Sequence, residues 1–218
     1  MLRLIEKYRN RPSYKYYLLK KEIKENLIFK FPNVIHIGAN TGQAANWYNA
    51  NNIKVIWVEA EPKNFKALMS NILNYKDQEA IQALIGSENR ENVPFYIANN
   101  AGMSSSIFSF GSGMDHQGLK MTDSISLQMF RLDTLFKSRD ISKYNYWVVD
   151  VQGSEYEVLK GAGKLLNNVK VIEIEVSTRD EYTGGAKYKE VREILISFGF
   201  FPLWEPADNS HEDLIFIK

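Results

Sequence analysis

The chain has no cysteine in its 218 residues. Disulfides are therefore excluded as staples, and so is any reaction that attacks through a thiolate. No apolar stretch approaches the roughly 20 residues that a membrane-spanning helix needs, and the charged N-terminus lacks the apolar core of a secretory signal. Charge of one sign is lacking too. With 27 lysines and arginines against 26 acids, the chain as a whole does not grip a polyanion through its net field. No internal repeat or low-complexity tract is present. What remains is a chain of ordinary soluble composition, read as cytoplasmic and long enough for one α/β domain that buries a sheet between two helical layers.

What is present is clearest in Val34-Ile-His-Ile-Gly-Ala-Asn-Thr-Gly-Gln43 and Val55-Ile-Trp-Val-Glu-Ala-Glu-Pro62. A hydrophobic strand into a glycine turn, then a helix, then a second strand ending in an acid is how an α/β protein builds an adenosine pocket. Gly38 and Gly42 let the backbone turn sharply and approach a ligand with no Cβ in the way. Glu59 follows Gly38 by 21 residues, where a carboxylate accepts from both ribose hydroxyls at once. The turn Gly38-Ala39-Asn40-Thr41-Gly42 has no third glycine in the dinucleotide register. That weakens a pyrophosphate cradle and favours S-adenosylmethionine, whose amino acid end needs polar groups and backbone contacts instead. The plainer alternative is a pair of ordinary turn glycines and a solvated strand end. An NAD-dependent dehydrogenase shares this first βαβ unit and stays as a remote option.

Period and punctuation predict strands at 33–38, 53–59, 79–85, 145–150, 169–176 and 212–217, and helices opening near Gly42, Pro62, Ser154 and Ala186. Further strand-like runs at 93–98 and 125–132 flank a glycine- and serine-rich stretch, 99–124, too long for a mere connector. Residues 1–30 carry nine basic side chains against Glu6, Glu22 and Glu25, interleaved with Tyr8, Tyr14, Tyr16 and Tyr17. Such a segment binds RNA, anionic lipid or a phosphorylated substrate. A solvated helix packed over the first strand is the preferred reading, because the overall charge balances. Pro12 predicts a break between two short helical pieces. The expected organisation is a basic helical segment, 1–30, followed by a catalytic domain, 31–218.

Acids punctuate the later strands. Asp150 ends the run Trp147-Val-Val-Asp150, Gln152, Gly153 and Glu155 follow on the turn, and Glu173 and Glu175 share one face of the next strand by period two. Such acids are costly to bury unpaired, which points to a polar site rather than packing. The structural alternatives are that Asp150 caps a helix, Glu155 meets a helix dipole and Glu173 faces solvent. Two or three carboxylates can also hold a divalent cation, an option kept but not favoured. His116, within 99–124, is a candidate general base by its ordinary pKa, with simple exposure as the plainer reading. Ser104, Ser105 and Ser106 either present hydroxyls to a ligand or cap a turn. His211 reads as a surface residue, and Trp57 and Trp147 read as core.

These segments together resemble the FkbM family of S-adenosylmethionine-dependent methyltransferases over roughly 33–218. The resemblance is carried by HIGANTGQ (36–43), WVEAEPKNFKAL (57–68), the serine cluster 104–106, RLDTL (131–135) and VVDVQGSEYEVLKGA (148–162). IEIEVS (172–177), the Tyr182-Thr-Gly184 turn and Phe198-Gly-Phe200 extend it. It implies a Rossmann-like α/β methyltransferase fold, with a mostly parallel seven-stranded sheet, a final antiparallel strand and helices on both faces. It also implies O-methylation of a hydroxyl on a sugar, glycan or small-metabolite precursor. The cofactor-binding candidates are then His36, Gly38, Ala39, Asn40, Gly42, Glu59, Ala60, Ser105, Asp150 and Gln152, with Gly86 and Ser87 near the adenine. Asp150, His116 and Glu175 are the candidate bases. His36 departs from many relatives, which carry there an acid that helps hold the methionine end. Methyl transfer from a sulfonium needs an acceptor oxygen held in line and an exit for its proton, more than covalent help. The absence of cysteine excludes carbon methylation of pyrimidines through a thiolate. An RNA or protein methyltransferase using the basic N-terminus, or a cofactor-binding module without turnover, are the other classes. No D/N-P-P-Y/F/W motif is present, which disfavours nucleic acid as a partner.

Overall fold

A computed structural model describes residues 12–114 and 118–218. The chain runs α1 (Pro12–Lys30), β1 (Asn33–Ile37), α2 (Ala45–Ala50), β2 (Lys54–Glu59), α3 (Pro62–Ile72), β3 (Gln78–Gln82), β4 (Leu84–Ile85), β5 (Arg90–Ala98) and β6 (Met121–Phe130). It continues through α4 (Leu132–Leu135), β7 (Tyr146–Val149), α5 (Glu155–Ala162), a 3₁₀ turn (Gly163–Asn168), β8 (Val171–Ser177), α6 (Tyr188–Ser197), β9 (Phe201–Pro202) and β10 (His211–Ile217).

Seven strands form the main sheet in the order β3-β2-β1-β7-β8-β10-β9. β1, β2, β3, β7 and β8 pair in parallel, and β10 lies antiparallel between β8 and β9. The central strands are buried on both faces, which is why Val55-Ile-Trp-Val and Tyr146-Trp-Val-Val read as continuous apolar runs. Ile35, Ile37, Trp147, Val149, Ile172 and Ile174 pack to one side under α5 and α6, while Val34, Trp57, Tyr146 and Ile215 pack to the other with Ile28 of α1. The strand order reverses between β1 and β7, and such a switch point opens a crevice at the carboxyl ends of its strands.

The run expected as one strand, 79–85, is two. After Gln82 the Ala83 amide donates to the Glu59 carbonyl at 3.0 Å, and Leu84 and Ile85 pair with Met129 and Phe130 in a separate three-stranded sheet, β4-β6-β5. The run 125–132 begins earlier, at Met121, and ends at Phe130 because Leu132 opens α4. The helix expected near Gly42 starts at Ala45. α1 lies over the β8–β10 side of the sheet: Lys24 pairs with Glu173, and Lys20 reaches Glu212 at 2.9 Å. The piece expected before Pro12 lies outside the described residues, as does His116.

Candidate active site

β1 ends against β7, so the chain must turn at once. Gly38 adopts φ +85°, and a Cβ there would stand 1.6 Å from the Asp150 carbonyl oxygen. The Gly38 and Ala39 amides both donate to the Val58 carbonyl, at 2.9 and 3.1 Å, which ties the turn to β2. Asn40 then takes φ 47°, a left-handed conformation that asparagine tolerates. This aims its amide at Glu59, donating to Oε2 at 2.7 Å, while the Glu61 amide donates to Oε1, also at 2.7 Å. Glu59 is only 6% exposed, and desolvation pushes its pKa up to about 7 in spite of those two bonds. Each of its oxygens retains a lone pair beyond the one used.

A cleft of about 510 Å³ opens beside this carboxylate. His36, Gly38, Ala39, Asn40 and Ala60 line it from the first two strands, Ser104 and Ser105 from the loop after β5, and Asp150 and Gln152 from the turn after β7. Glu175 and His211 close the far side, and Val58, Ala83, Leu84, Ile85 and Phe95 supply apolar surface. Three expected contacts lie elsewhere. Gly42 packs against Leu68 behind the turn, Gly86 packs against Met129, and the Ser87 carbonyl accepts from Arg131 Nη1 at 2.7 Å. The departure at Ala83 into the small sheet brings 83–85 to the cleft instead. Ser105 Oγ accepts from the Ala98 amide at 3.1 Å, so this hydroxyl also shapes its own loop.

The far side is an interlocked set of side chains. Gln152 donates through Nε2 to Asp150 Oδ1 and to Glu175 Oε2, both at 2.7 Å, and its Oε1 accepts from the Tyr182 hydroxyl at 2.6 Å. Its backbone is held at φ 57°, and Gly153 beside it takes φ 94° with the Tyr182 ring where a Cβ would be. Glu155 folds back over the turn, its Oε1 accepting from the Val151 and Gly153 amides at 3.0 and 3.1 Å. Burial, reinforced by Glu175, pushes Glu155 up to about 8 and Asp150 well above the usual carboxylate range. Asp150, Glu155 and Glu175 each offer an oxygen within 4.8 Å of the others, a spacing that could hold a cation. The Glu155 oxygen on the turn and both Glu175 oxygens are already engaged inside the protein.

The sequence was matched against known protein families, and the model for the methyltransferase FkbM domain matches residues 36–202. The chain belongs to the FkbM methyltransferase family. No curated protein matches the sequence significantly. Among solved structures, this FkbM methyltransferase is similar to WbdD in complex with the kinase inhibitor LY294002, at 11% identity and a TM-score of 0.51, covering 95% of this chain and 41% of that one. It is also similar to magnesium protoporphyrin IX methyltransferase from Synechocystis PCC 6803 with bound SAH, at 8% identity and a TM-score of 0.48, covering 93% and 82%. Aeropyrum pernix fibrillarin in complex with S-adenosyl-L-methionine follows at 11% identity and a TM-score of 0.44, covering 85% and 66%. The chain thus spans about two fifths of WbdD and about two thirds of that fibrillarin. At such identities the likeness to WbdD speaks to the fold, which is the Rossmann-like fold of S-adenosylmethionine-dependent methyltransferases.

Two residues beside the cleft, His211 and Tyr182, had no site role in the sequence, although the Tyr182-Thr-Gly184 turn belongs to the family motif. His211 is exposed, as expected, yet it is also part of the cleft wall: its Nε2 lies 2.8 Å from Glu175 Oε1, and that hydrogen bond pushes its pKa up to about 9. The polar start of a closing antiparallel strand, beside the carboxyl end of β8, is the clue that could have found it. Tyr182 comes from a loop that is laced to the 99–124 stretch. The Gly111 amide donates to the Glu181 carbonyl at 2.7 Å, the Thr183 amide donates to the Ser109 carbonyl at 2.9 Å, and Phe110 bridges to Tyr182. Glu173, by contrast, does not face solvent. It is buried, paired with Lys24, and accepts from the Tyr146 hydroxyl at 3.0 Å. His36 sits between Trp57, at 4.8 Å between ring centroids, and Tyr48, and burial lowers its pKa to about 3, so it is neutral.

Proposed function

We propose that this chain transfers the methyl group of S-adenosylmethionine to a hydroxyl of a sugar, glycan or small polyhydroxylated precursor. The observation that carries the reading is Glu59, desolvated at the end of β2, held by two backbone amides and still able to accept from two ribose hydroxyls. The residues fit the group: the cleft volume is in the range of small-ligand sites, and Gly38 keeps the backbone thin where the amino acid end would lie. Gly38, Ala39, Asn40 and neutral His36 would hold that end. Ala60 and the apolar surface of Val58, Leu84, Ile85 and Phe95 would enclose the nucleoside. The bound cofactor supplies an activated methyl group on a positively charged sulfur.

The chain's own part is to place the acceptor oxygen and take its proton. Asp150 and Glu175 face each other across Gln152 Nε2, and burial beside Glu175, which raises the basicity of Asp150, suits it to accept a hydroxyl proton. Asp150 would take the hydroxyl proton as the acceptor oxygen gains the methyl group that bound S-adenosylmethionine would supply, the products being a methyl ether and S-adenosylhomocysteine. Gln152 acts as a positioning residue, because its polar atoms are already bonded inside the protein. An acid-rich wall favours hydroxyl donors over phosphates. It counts against RNA as acceptor, as does the pairing of Lys20 and Lys24 with Glu212 and Glu173. We also place the protein in the cytoplasm and favour a metal-free mechanism.

Calorimetry with S-adenosylmethionine and S-adenosylhomocysteine tests this. Micromolar affinity, on the order of −8 kcal/mol, weakened about tenfold or more in Glu59→Gln, is the expected result. Absence of binding, or an unaffected Glu59→Gln variant, overturns the reading.

A further inference from the structure

A second hollow of about 540 Å³ lies between α1, the start of α2 and the β8–β10 face of the sheet. It adjoins the catalytic cleft. Ala44 lines both, and Tyr48 on the groove side lies 3.5 Å from Nδ1 of His36 on the cleft side. On β8, Glu175 lines the cleft while Glu173, two residues back on the same face, lines the groove. Asp213, the register partner of Glu175, lines the groove from β10.

The chemistry of the groove is aromatic and charge-balanced. Tyr17, 60% exposed on α1, and Trp47 on α2 present flat apolar surface. The lysines of the groove are matched: Lys20 with Glu212, Lys24 with Glu173 and Lys21 with Glu25. The carboxylate of Asp213, a residue whose backbone pairs with Glu175, has no hydrogen-bond or ion-pair partner among the described residues, and Trp204 borders the groove. Such a surface does not select a polyanion, because carboxylates line it, and three lysines oppose a polycation. It suits a neutral ligand with flat apolar faces and many hydroxyls, which stacks on aromatic rings while giving hydrogen bonds to a carboxylate.

We propose that this groove is a distal acceptor site, holding the neutral sugar units that lie beyond the one placed for methylation. The acceptor is then a saccharide chain rather than a single sugar. The role as acceptor site rests on the methyltransferase reading above. The groove's affinity for saccharide does not.

The test uses the full chain with ¹⁵N-labelled tryptophan, saturated with S-adenosylhomocysteine, whose binding is measured separately by calorimetry. Neutral trisaccharides with α- and β-linked glucose, mannose and galactose are titrated beside the matching monosaccharides, spermidine and a short RNA. The indole signals of Trp204 and Trp47 are assigned with Trp204→Phe and Trp47→Phe. The expected result is that at least one trisaccharide shifts both signals and binds at least tenfold more tightly than its monosaccharide. Tyr17→Ala and Asp213→Ala should each remove most of that gain without changing affinity for S-adenosylhomocysteine. Silent indoles with every trisaccharide, equal affinity for mono- and trisaccharide, or tighter binding of spermidine or RNA would overturn the proposal while leaving the methyltransferase reading intact. If S-adenosylhomocysteine itself fails to bind, the methyltransferase reading falls and with it the groove's role as an acceptor site, whatever the indoles report.

Discussion

The two halves of the cleft are built by different means. On the β1–β2 side, one short stretch of chain does the work: a left-handed glycine, four backbone amides and a single carboxylate, all within Gly38–Glu61. On the β7–β8–β10 side, Asp150, Gln152, Glu155, Glu175, Tyr182 and His211 come from four separate segments and hold one another through side-chain bonds. A backbone-built site tolerates little change in shape, since its donors cannot move without moving the strand. A side-chain-built site tolerates shape changes but fails when one member of the network loses its polar group. The first arrangement suits a ligand of fixed shape, and the second suits one whose polar groups must be matched one by one.

The sharpest way to break that contrast is Gly38→Ala. The added methyl would fall 1.6 Å from a backbone oxygen, which cannot swing aside as a side-chain tip could. A loss of about 3 kcal/mol or more in urea unfolding is expected, with cofactor binding abolished. Gly199→Ala is the matching control: it too has positive φ, +84°, but no atom lies within 4 Å of the new Cβ, so only the conformational cost of about 1 kcal/mol remains. Equal losses in the two variants would show that the tight β1–β7 approach is not what demands glycine at 38.

On the other side, Gln152→Met keeps length and removes both donor and acceptor. Asp150 and Glu175 then face each other with no shared N–H, and the Tyr182 hydroxyl keeps only the Ser104 carbonyl, at 3.4 Å. Turnover should fall about 100-fold while affinity for S-adenosylhomocysteine stays close to that of the unaltered protein. A variant that loses both equally would place Gln152 on the cofactor rather than between the carboxylates.

Protonation distinguishes the halves further. Glu59 titrates near 7, Glu155 near 8 and His211 near 9, all above their unfolded values, and Asp150 is raised as well. A raised folded pKa contributes stability that is complete below the unfolded pKa and is lost as pH rises through the folded one. All four groups act in the same direction. The melting temperature of the ligand-free protein should therefore fall as pH rises from about 6 to about 9, by about 2–4 °C for each kcal/mol lost. Glu155→Gln should flatten the middle of that profile and leave the His211 end. A profile rising with pH would contradict the burial of these groups.

What could be read in the sequence follows the same division. The glycine turn, Glu59 and the alternating βα order are local patterns, and the strand and helix cores emerged within a few residues of expectation. Asp150, Gln152 and Glu175 were legible as acids and an amide at the ends of apolar strands, where burial costs too much to be accidental. The place of His211 on the cleft wall was not, and Tyr182 was visible only as part of the family motif, since each is tied to the site through an antiparallel strand or a laced loop whose placement is a property of the whole fold. The serine cluster was visible, but its hydroxyls turn out to hold the backbone: Ser106 Oγ accepts from the Phe108 amide at 3.1 Å, just as Ser105 Oγ accepts from Ala98.

The smallest expected effect tests where the adenine end of the cleft lies. The family resemblance implies that Gly86 and Ser87, after the third strand, lie near the adenine, yet the chain leaves the main sheet at Ala83. From there Leu84 and Ile85 line the cleft, while the Ser87 carbonyl is bonded to Arg131. Ser87→Ala should leave affinity for S-adenosylhomocysteine within about twofold, as expected for a substitution away from packed features. Leu84→Trp, three residues back and on the lining, should weaken it by about tenfold or more by overfilling the pocket. If Ser87→Ala weakened binding instead, the nucleoside would have to reach past Ile85. The backbone-built half of the site would then extend into the small sheet rather than ending at its edge.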